Sequence, residues 1–403
     1  MWSGLLRRLA SGLWTTLKLA SIAGIVALGS CSTASVVLRT APDTLPDSFS
    51  PATTPTLPRP QALALLESEI YGPVLVPSVR VLDFATLDDA ALDGSAVLQQ
   101  WRLELDYGGE PRPLDIVLLM PKGRPDAPVI VSQNFCPNSA VIPLPNVAAP
   151  GDTTFCDGGG LLGWVMTGVF GRHIVTPPIE TIIARGYGFA AMYPSQAVPD
   201  AARLGDTVLD DMYPEDDRPG ALASWAGLFA VAAQQIELEH GPRPVVAYGH
   251  SRFGKTSLLA GAYLDAVDAV IAHQSGTLGA SRLTDETGEP LDALVGSYPH
   301  WGNKRLRTYA ETPSALPVGP EDLLAAIAPK PVLLGNAKRD TWSDPLGAFA
   351  SAQAAWGSRF ATAQPGEFRP GDAVAFWQRP GTHGVVKEDW EAFLRWLDAR
   401  SFD

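Results

Sequence analysis

The sequence predicts an α/β fold: a mostly parallel central sheet flanked by helices on both faces, giving three layers. Apolar runs of strand length alternate with helical patterns from about residue 113 onward. Those runs are nearly continuous in apolar residues, as strands covered on both faces must be, because neither side meets water. The chain has 403 residues, 46% of them apolar and 18% charged, so it has the length and composition to bury a full core.

In chain order, strands are expected at Ile116–Met120, Val129–Ser132, Gly188–Met192, Val245–Tyr248, Val267–Ala272, Val332–Gly335 and Val374–Trp377. Helical patterns fall between and after them, at Ile179–Arg185, Ala221–Glu239, Gly254–Leu264, Glu321–Ala328, Leu346–Trp356 and Lys387–Arg400. Two Gly/Pro-rich stretches, 134–173 and 278–320, read as insertions, and loops of that length are usually functional or lid-like. There is no internal repeat.

The first 31 residues read as an address. Arg7, Arg8 and Lys18 precede a short apolar run that ends at Leu28-Gly29-Ser30-Cys31. A basic start, a short apolar core and small residues before a cut describe a secretory signal. The Cys at the cut resembles the lipobox of bacterial lipoproteins, which implies a lipidated Cys31 and a periplasmic or outer-membrane location; simple secretion is the alternative. Residues 32–60, rich in Pro and Thr, read as an extended tether. A single domain is expected over 61–403. Export makes a disulfide between Cys136 and Cys156 feasible, although spacing alone cannot set their distance.

Composition excludes several functions. With 30 basic and 43 acidic residues the net charge is −13, and without a Lys/Arg run the chain is a poor candidate for binding nucleic acid. One short apolar stretch rules out a multi-pass membrane protein, so any membrane contact is expected only through the lipid anchor. There is no CxxC or HExxH, and the six His are scattered. No metal and no cofactor are expected, and the chain is expected to be a monomer.

The richest motif follows the strand at 245–248. Gly249-His250-Ser251-Arg252-Phe253-Gly254-Lys255-Thr256 matches the phosphate-binding pattern GxxxxGK[ST]. Several strands precede it, however, no later strand ends in an Asp suited to Mg²⁺, and an exported protein has no ATP supply. The competing reading is a nucleophile elbow, a tight strand-to-helix turn that lifts the Ser251 hydroxyl above the sheet and aims the Arg252 N–H at an oxyanion. Phe253 departs from the strict GxSxG form. The partners favour this reading. Asp340 lies just past the strand at 332–335, and His383 lies in a Gly-flanked loop after the last strand. The order Ser, acid, His is that of serine hydrolases built on an α/β sheet. His383 would take the Ser251 proton, and Asp340 would fix its tautomer.

These residues resemble the glucuronoyl esterases, carbohydrate esterase family fifteen, which have the α/β-hydrolase fold. Gly249 to Lys255 resembles the signature G-[CH]-S-R-x-G-K of that family, and Ala184-Arg185-Gly186-Tyr187-Gly188 resembles its ARGYA segment. Tyr298-Pro299-His300-Trp301, Leu324 to Pro331, Asp340-Thr341-Trp342-Ser343-Asp344-Pro345 and Gly381 to Trp390 resemble further family motifs. The resemblance spans roughly 115–397. It implies hydrolysis of esters joining glucuronic acid side chains of xylan to lignin alcohols. It also implies that the Arg252 side chain joins the oxyanion hole and that Lys255, Glu289 and Trp342 contact the sugar.

The departures are informative. Gln274 stands where many family members place the catalytic acid, which assigns that charge to Asp340. A carboxylate restored at 274 would then be expected to offset loss of Asp340. Ser297 stands where many have a sugar-binding Gln. The expected partner is a glucuronic-acid-bearing polysaccharide ester. The alternatives are another carbohydrate esterase, such as an acetyl xylan esterase, a P-loop nucleotide-binding protein, or an inactive sugar-binding relative.

Overall fold

A computed structural model describes residues 56–148, 156, 170–213, 218–283, 288–357 and 369–402. The leader at 1–31, with Cys31, and the tether as far as residue 55 lie outside the described residues. The chain enters through helix α1 (Arg59–Leu66), tied down by Arg59, whose guanidinium donates to the carbonyls of Ala326 and Ala262.

One nine-stranded sheet organises the molecule. Its strands are β1 (Ser78–Ala90), β2 (Ala96–Asp106), β3 (Arg112–Pro121), β4 (Val129–Gln133), β5 (Gly188–Met192), β6 (Val245–His250), β7 (Ala269–His273), β8 (Val332–Ala337) and β9 (Val374–Arg379). The spatial order is β1-β2-β3-β5-β4-β6-β7-β8-β9. β1, β2, β3 and β5 pair antiparallel; every pairing from β5 to β9 is parallel. The expected mostly parallel sheet is therefore present, extended by the β1–β2 hairpin ahead of it.

Helices lie on both faces: α2 (Ile179–Ala184), α3 (Ala202–Met212), α4 (Ala221–His240), α5 (Arg252–Tyr263), α6 (Leu291–Ser297), α7 (Pro320–Ala326), α8 (Pro345–Trp356) and α9 (Lys387–Asp398). The period-2 geometry of strands sends alternate side chains to opposite cores. Val129 and Val131 of β4, with Val245 and Ala247 of β6, face the core formed by α4, α5, α7 and α8. Ile130, Val246 and Tyr248 face the other, where Ile182 and Ile183 of α2 meet Trp390, Phe393 and Trp396 of α9. α4 is apolar nearly all round its first three turns and is correspondingly buried. The carboxyl ends of β6, β7, β8 and β9 open onto one edge of the sheet, where ligands bind in such folds.

Candidate active site

Gly249 and His250 end β6 and Arg252 begins α5, so a single residue, Ser251, makes the turn between strand and helix. Ser251 sits at φ 57°, ψ −122°, a left-hand conformation that costs an L-residue on the order of 1–3 kcal/mol and persists only where the surroundings over-determine it. The surroundings do so. The Ser251 N–H donates to His273 O at 2.8 Å, and its carbonyl accepts from the Gly254 N–H at 2.9 Å. Gly249 is obligatory, because a Cβ there would fall 1.8 Å from the Phe253 carbonyl oxygen. A phosphate cradle would need the whole stretch between Gly249 and Gly254 as loop. Here it is strand end, one turn residue and helix, and Thr256 is wholly buried against Gln133.

The fold brings Asp340 and His383 together. Asp340, three residues past β8, is 1% exposed. Its Oδ2 lies 2.7 Å from His383 Nδ1. The same oxygen takes the Ser343 hydroxyl, while Oδ1 accepts the backbone N–H groups of Trp342 and Ser343, each at 3.1 Å. Burial alone would raise the Asp340 carboxyl; the charge and hydrogen bond of His383, with the bonds from Ser343, outweigh it and hold the group below its ordinary value. With Nδ1 committed to Asp340, Nε2 is the ring atom left for proton transfer. His383 is braced by Trp342, edge-on at 5.3 Å between centroids, and by the His250 ring at 4.7 Å.

The wall beside Ser251 is cationic and aromatic. The Arg252 guanidinium lies 5.2–5.4 Å from the ring centroids of Phe135, Tyr298 and Trp301, within cation–π range. It pairs with Asp200. Lys255 is buried, its Nζ donating to Ser275 O and lying 5.6 Å from the Trp301 centroid. Burial, the largest influence, pushes Lys255 down to about 8, against the opposing field of half-buried Glu289. Glu289 acts on Arg252 in the same way. The predicted residues Arg252, Lys255 and Glu289 thus form one electrostatic group, and Trp342 stands beside His383. Ser297, by contrast, is exposed at the end of α6.

A disulfide joins Cys136 to Cys156, with Cα atoms 5.6 Å apart. It joins two parts of the 134–173 insertion, one of them beside Phe135; residues 149–155 and 157–169 lie outside the described residues. Two features escaped the sequence. Asp200 follows β5 in a loop without a motif, yet its carboxylate serves Arg252, His300 and Trp301 together. Gln274, expected to flank the imidazole, instead bonds the backbone on either side of His383: its Oε1 accepts from Gly384 N at 2.8 Å and its Nε2 donates to Thr382 O at 3.3 Å.

Comparison with known proteins points one way. The family model "Glucuronyl esterase, fungi" matches residues 190–358, which span Asp200, Ser251, Arg252, Lys255, Glu289 and Asp340. A carbohydrate esterase designated MZ0003, from an unknown prokaryotic organism, is 28% identical over 366 residues, covering 84% of this chain and 83% of that one. Among solved structures, a promiscuous family-fifteen esterase from the marine bacterial metagenome superposes with TM-score 0.70 at 26% identity, over 85% of this chain and 91% of its own. A glucuronoyl esterase from Solibacter usitatus follows at TM-score 0.68 and 25% identity, with the same coverage. The chain is similar to the glucuronoyl esterases of carbohydrate esterase family fifteen, has the α/β-hydrolase fold, and is a carboxylic-ester hydrolase.

Proposed function

We propose that the protein cleaves glucuronoyl esters of xylan, the links between its glucuronic acid side chains and lignin alcohols, by a serine mechanism. Ser251 is the nucleophile, His383 the base and Asp340 the acid that orients it. The Ser251 Oγ–H proton passes to His383 Nε2 as Oγ attacks the ester carbonyl carbon. The tetrahedral intermediate collapses, the C–O bond to the alcohol breaks, and His383 returns the proton to the leaving alkoxide. Water, deprotonated by His383, then splits the acyl-serine and releases glucuronate.

The Arg252 N–H, one of the first helical N–H groups that have no intrahelical acceptor, and its guanidinium stabilise the oxyanion. Lys255, Glu289 and Trp342 are assigned to the sugar. The observation that carries the reading is the strained Ser251 turn beside the Asp340–His383 pair. The Cys136–Cys156 bond supports an exported enzyme, since such bonds persist in oxidising compartments. With the leader sequence, it supports a lipoprotein anchored through Cys31.

The test is release of benzyl alcohol from benzyl D-glucuronate, beside an aryl acetate and an ATP-binding control. Faster turnover of the acetate, measured as kcat/KM, would assign the site to acetyl esters.

A further inference from the structure

The loop that carries His383 folds back on a buried guanidinium. Arg379, the last residue of β9, donates to the carbonyls of Pro380 (3.0 Å), Thr382 (3.3 Å) and Gly384 (2.7 Å). Asp389 of α9 holds Arg379 through both carboxylate oxygens, at 2.9 and 2.8 Å, and also caps Val386 N and Trp377 Nε1. Arg379 can only donate, so it satisfies carbonyls and leaves the N–H groups of the loop unserved.

Gln274 supplies what Arg379 cannot. It is 1% exposed and adopts φ 50°, another left-handed residue at the end of a central strand, with its own N–H fixed by Gly335 O at 2.7 Å. Its Oε1 takes the Gly384 N–H, and its Nε2 shares Thr382 O with Arg379. Of the common side chains at this position, a carboxamide alone offers one acceptor and one donor in this fork; a carboxylate would keep the Gly384 bond and set its second oxygen against the Thr382 carbonyl.

We infer that Gln274 is a positioning residue for the catalytic base: it spans the backbone on both sides of His383 and fixes where the imidazole stands relative to Ser251. It acts by aim and carries none of the charge that Asp340 supplies. A loss of aim of about 1 Å can cost on the order of 100-fold in rate, so its removal shows in kcat and hardly in KM.

The inference rests on His383 being the base, and the experiment keeps the two apart. The variants Gln274→Met, Gln274→Glu, Asp340→Asn, Asp340→Asn/Gln274→Glu and His383→Ala are assayed on benzyl D-glucuronate, with folding followed by circular dichroism. Gln274→Met and Gln274→Glu are expected to lose about tenfold or more in kcat with KM within about twofold. The double variant is expected to be no faster than Asp340→Asn. If Gln274→Met does not fold, the near-isosteric Gln274→Glu carries the test. A smaller fall in kcat, or recovery of Asp340→Asn by the added glutamate, overturns the inference while leaving the triad standing. An active His383→Ala would instead remove the triad beneath it.

Discussion

Asp200 and Arg252 form an ion pair at the residue after Ser251, and the second oxygen of Asp200 takes the Nε1–H of Trp301 at 2.9 Å and faces His300 Nε2 at 3.2 Å. One carboxylate thus sets both the guanidinium assigned to the oxyanion and the indole it lies against. Asp200→Asn keeps the shape but removes the charge. It is expected to lower kcat by roughly 10- to 100-fold, the order of an oxyanion contact that is misplaced but present. Steady-state kinetics on a glucuronate ester reads this directly, and an unchanged kcat would show that Arg252 holds its position without Asp200.

The proposed acid makes a sharper case. Asp340 is fully enclosed and accepts hydrogen bonds from Ser343, Trp342 and His383. An amide in its place can still accept from the ring but cannot offset an imidazolium. Asp340→Asn should cost on the order of 10² to 10⁴ in kcat, as for triad acids generally. A near-silent substitution would place the compensating charge elsewhere.

Lys255 brings a pH dependence. Its ammonium is buried and held down to about 8, against an ordinary 10.5. If the charged form grips the glucuronate product, competitive inhibition by D-glucuronate weakens as pH rises through about 8, with Ki approaching tenfold per pH unit above it. Lys255→Met should flatten that slope. Stability moves the other way. Between about 8 and 10.5 the unfolded chain binds the extra proton, so this group makes the fold more stable as pH rises across that window. A Ki independent of pH between 7 and 9.5 in the unaltered enzyme would take Lys255 out of product binding.

The disulfide is a separate element of stability. Cys136 and Cys156 are 20 residues apart, and closing a loop of that size restricts the unfolded chain by about 3 kcal/mol. At a domain of this length that corresponds to a melting temperature lower by roughly 4 °C on reduction. Calorimetry with and without dithiothreitol measures it; identical melting curves would show that the bond contributes nothing to stability.

What the sequence disclosed follows from burial. β4 to β9 are covered on both faces, so their apolar runs stand out, and the site residues at their carboxyl ends could be placed by order alone. β1 and β2 did not stand out. β1 is an edge strand, mostly exposed and interrupted by Asp83, Asp88 and Asp89, and its register shifts twice against β2. α3 was missed as well: only Val208, Leu209 and Met212 are large apolar residues on its buried side, and Gly205 stands where a fourth would be. Ser251, His383 and Asp340 could be singled out because each follows a recognisable strand, and the fold brings Asp340 and His383 into contact. Asp200 also lies beyond a strand end, that of β5, but seven residues intervene and no local pattern marks it. The partners of Gln274 could not be read at all. They depend on a loop 108 and 110 residues away in sequence, and only the folded chain shows that the amide grips backbone, where the ring of His383 had been expected.

The central claim is that Ser251 opens glucuronate esters, and replacing its hydroxyl tests that most directly. Release of benzyl alcohol from benzyl D-glucuronate is measured for the unaltered enzyme and for Ser251→Ala, with the fold of each checked by circular dichroism. The account predicts turnover by the former and a loss of about 10³-fold or more in kcat for the latter. A Ser251→Ala enzyme that kept most of its ester hydrolysis would contradict it.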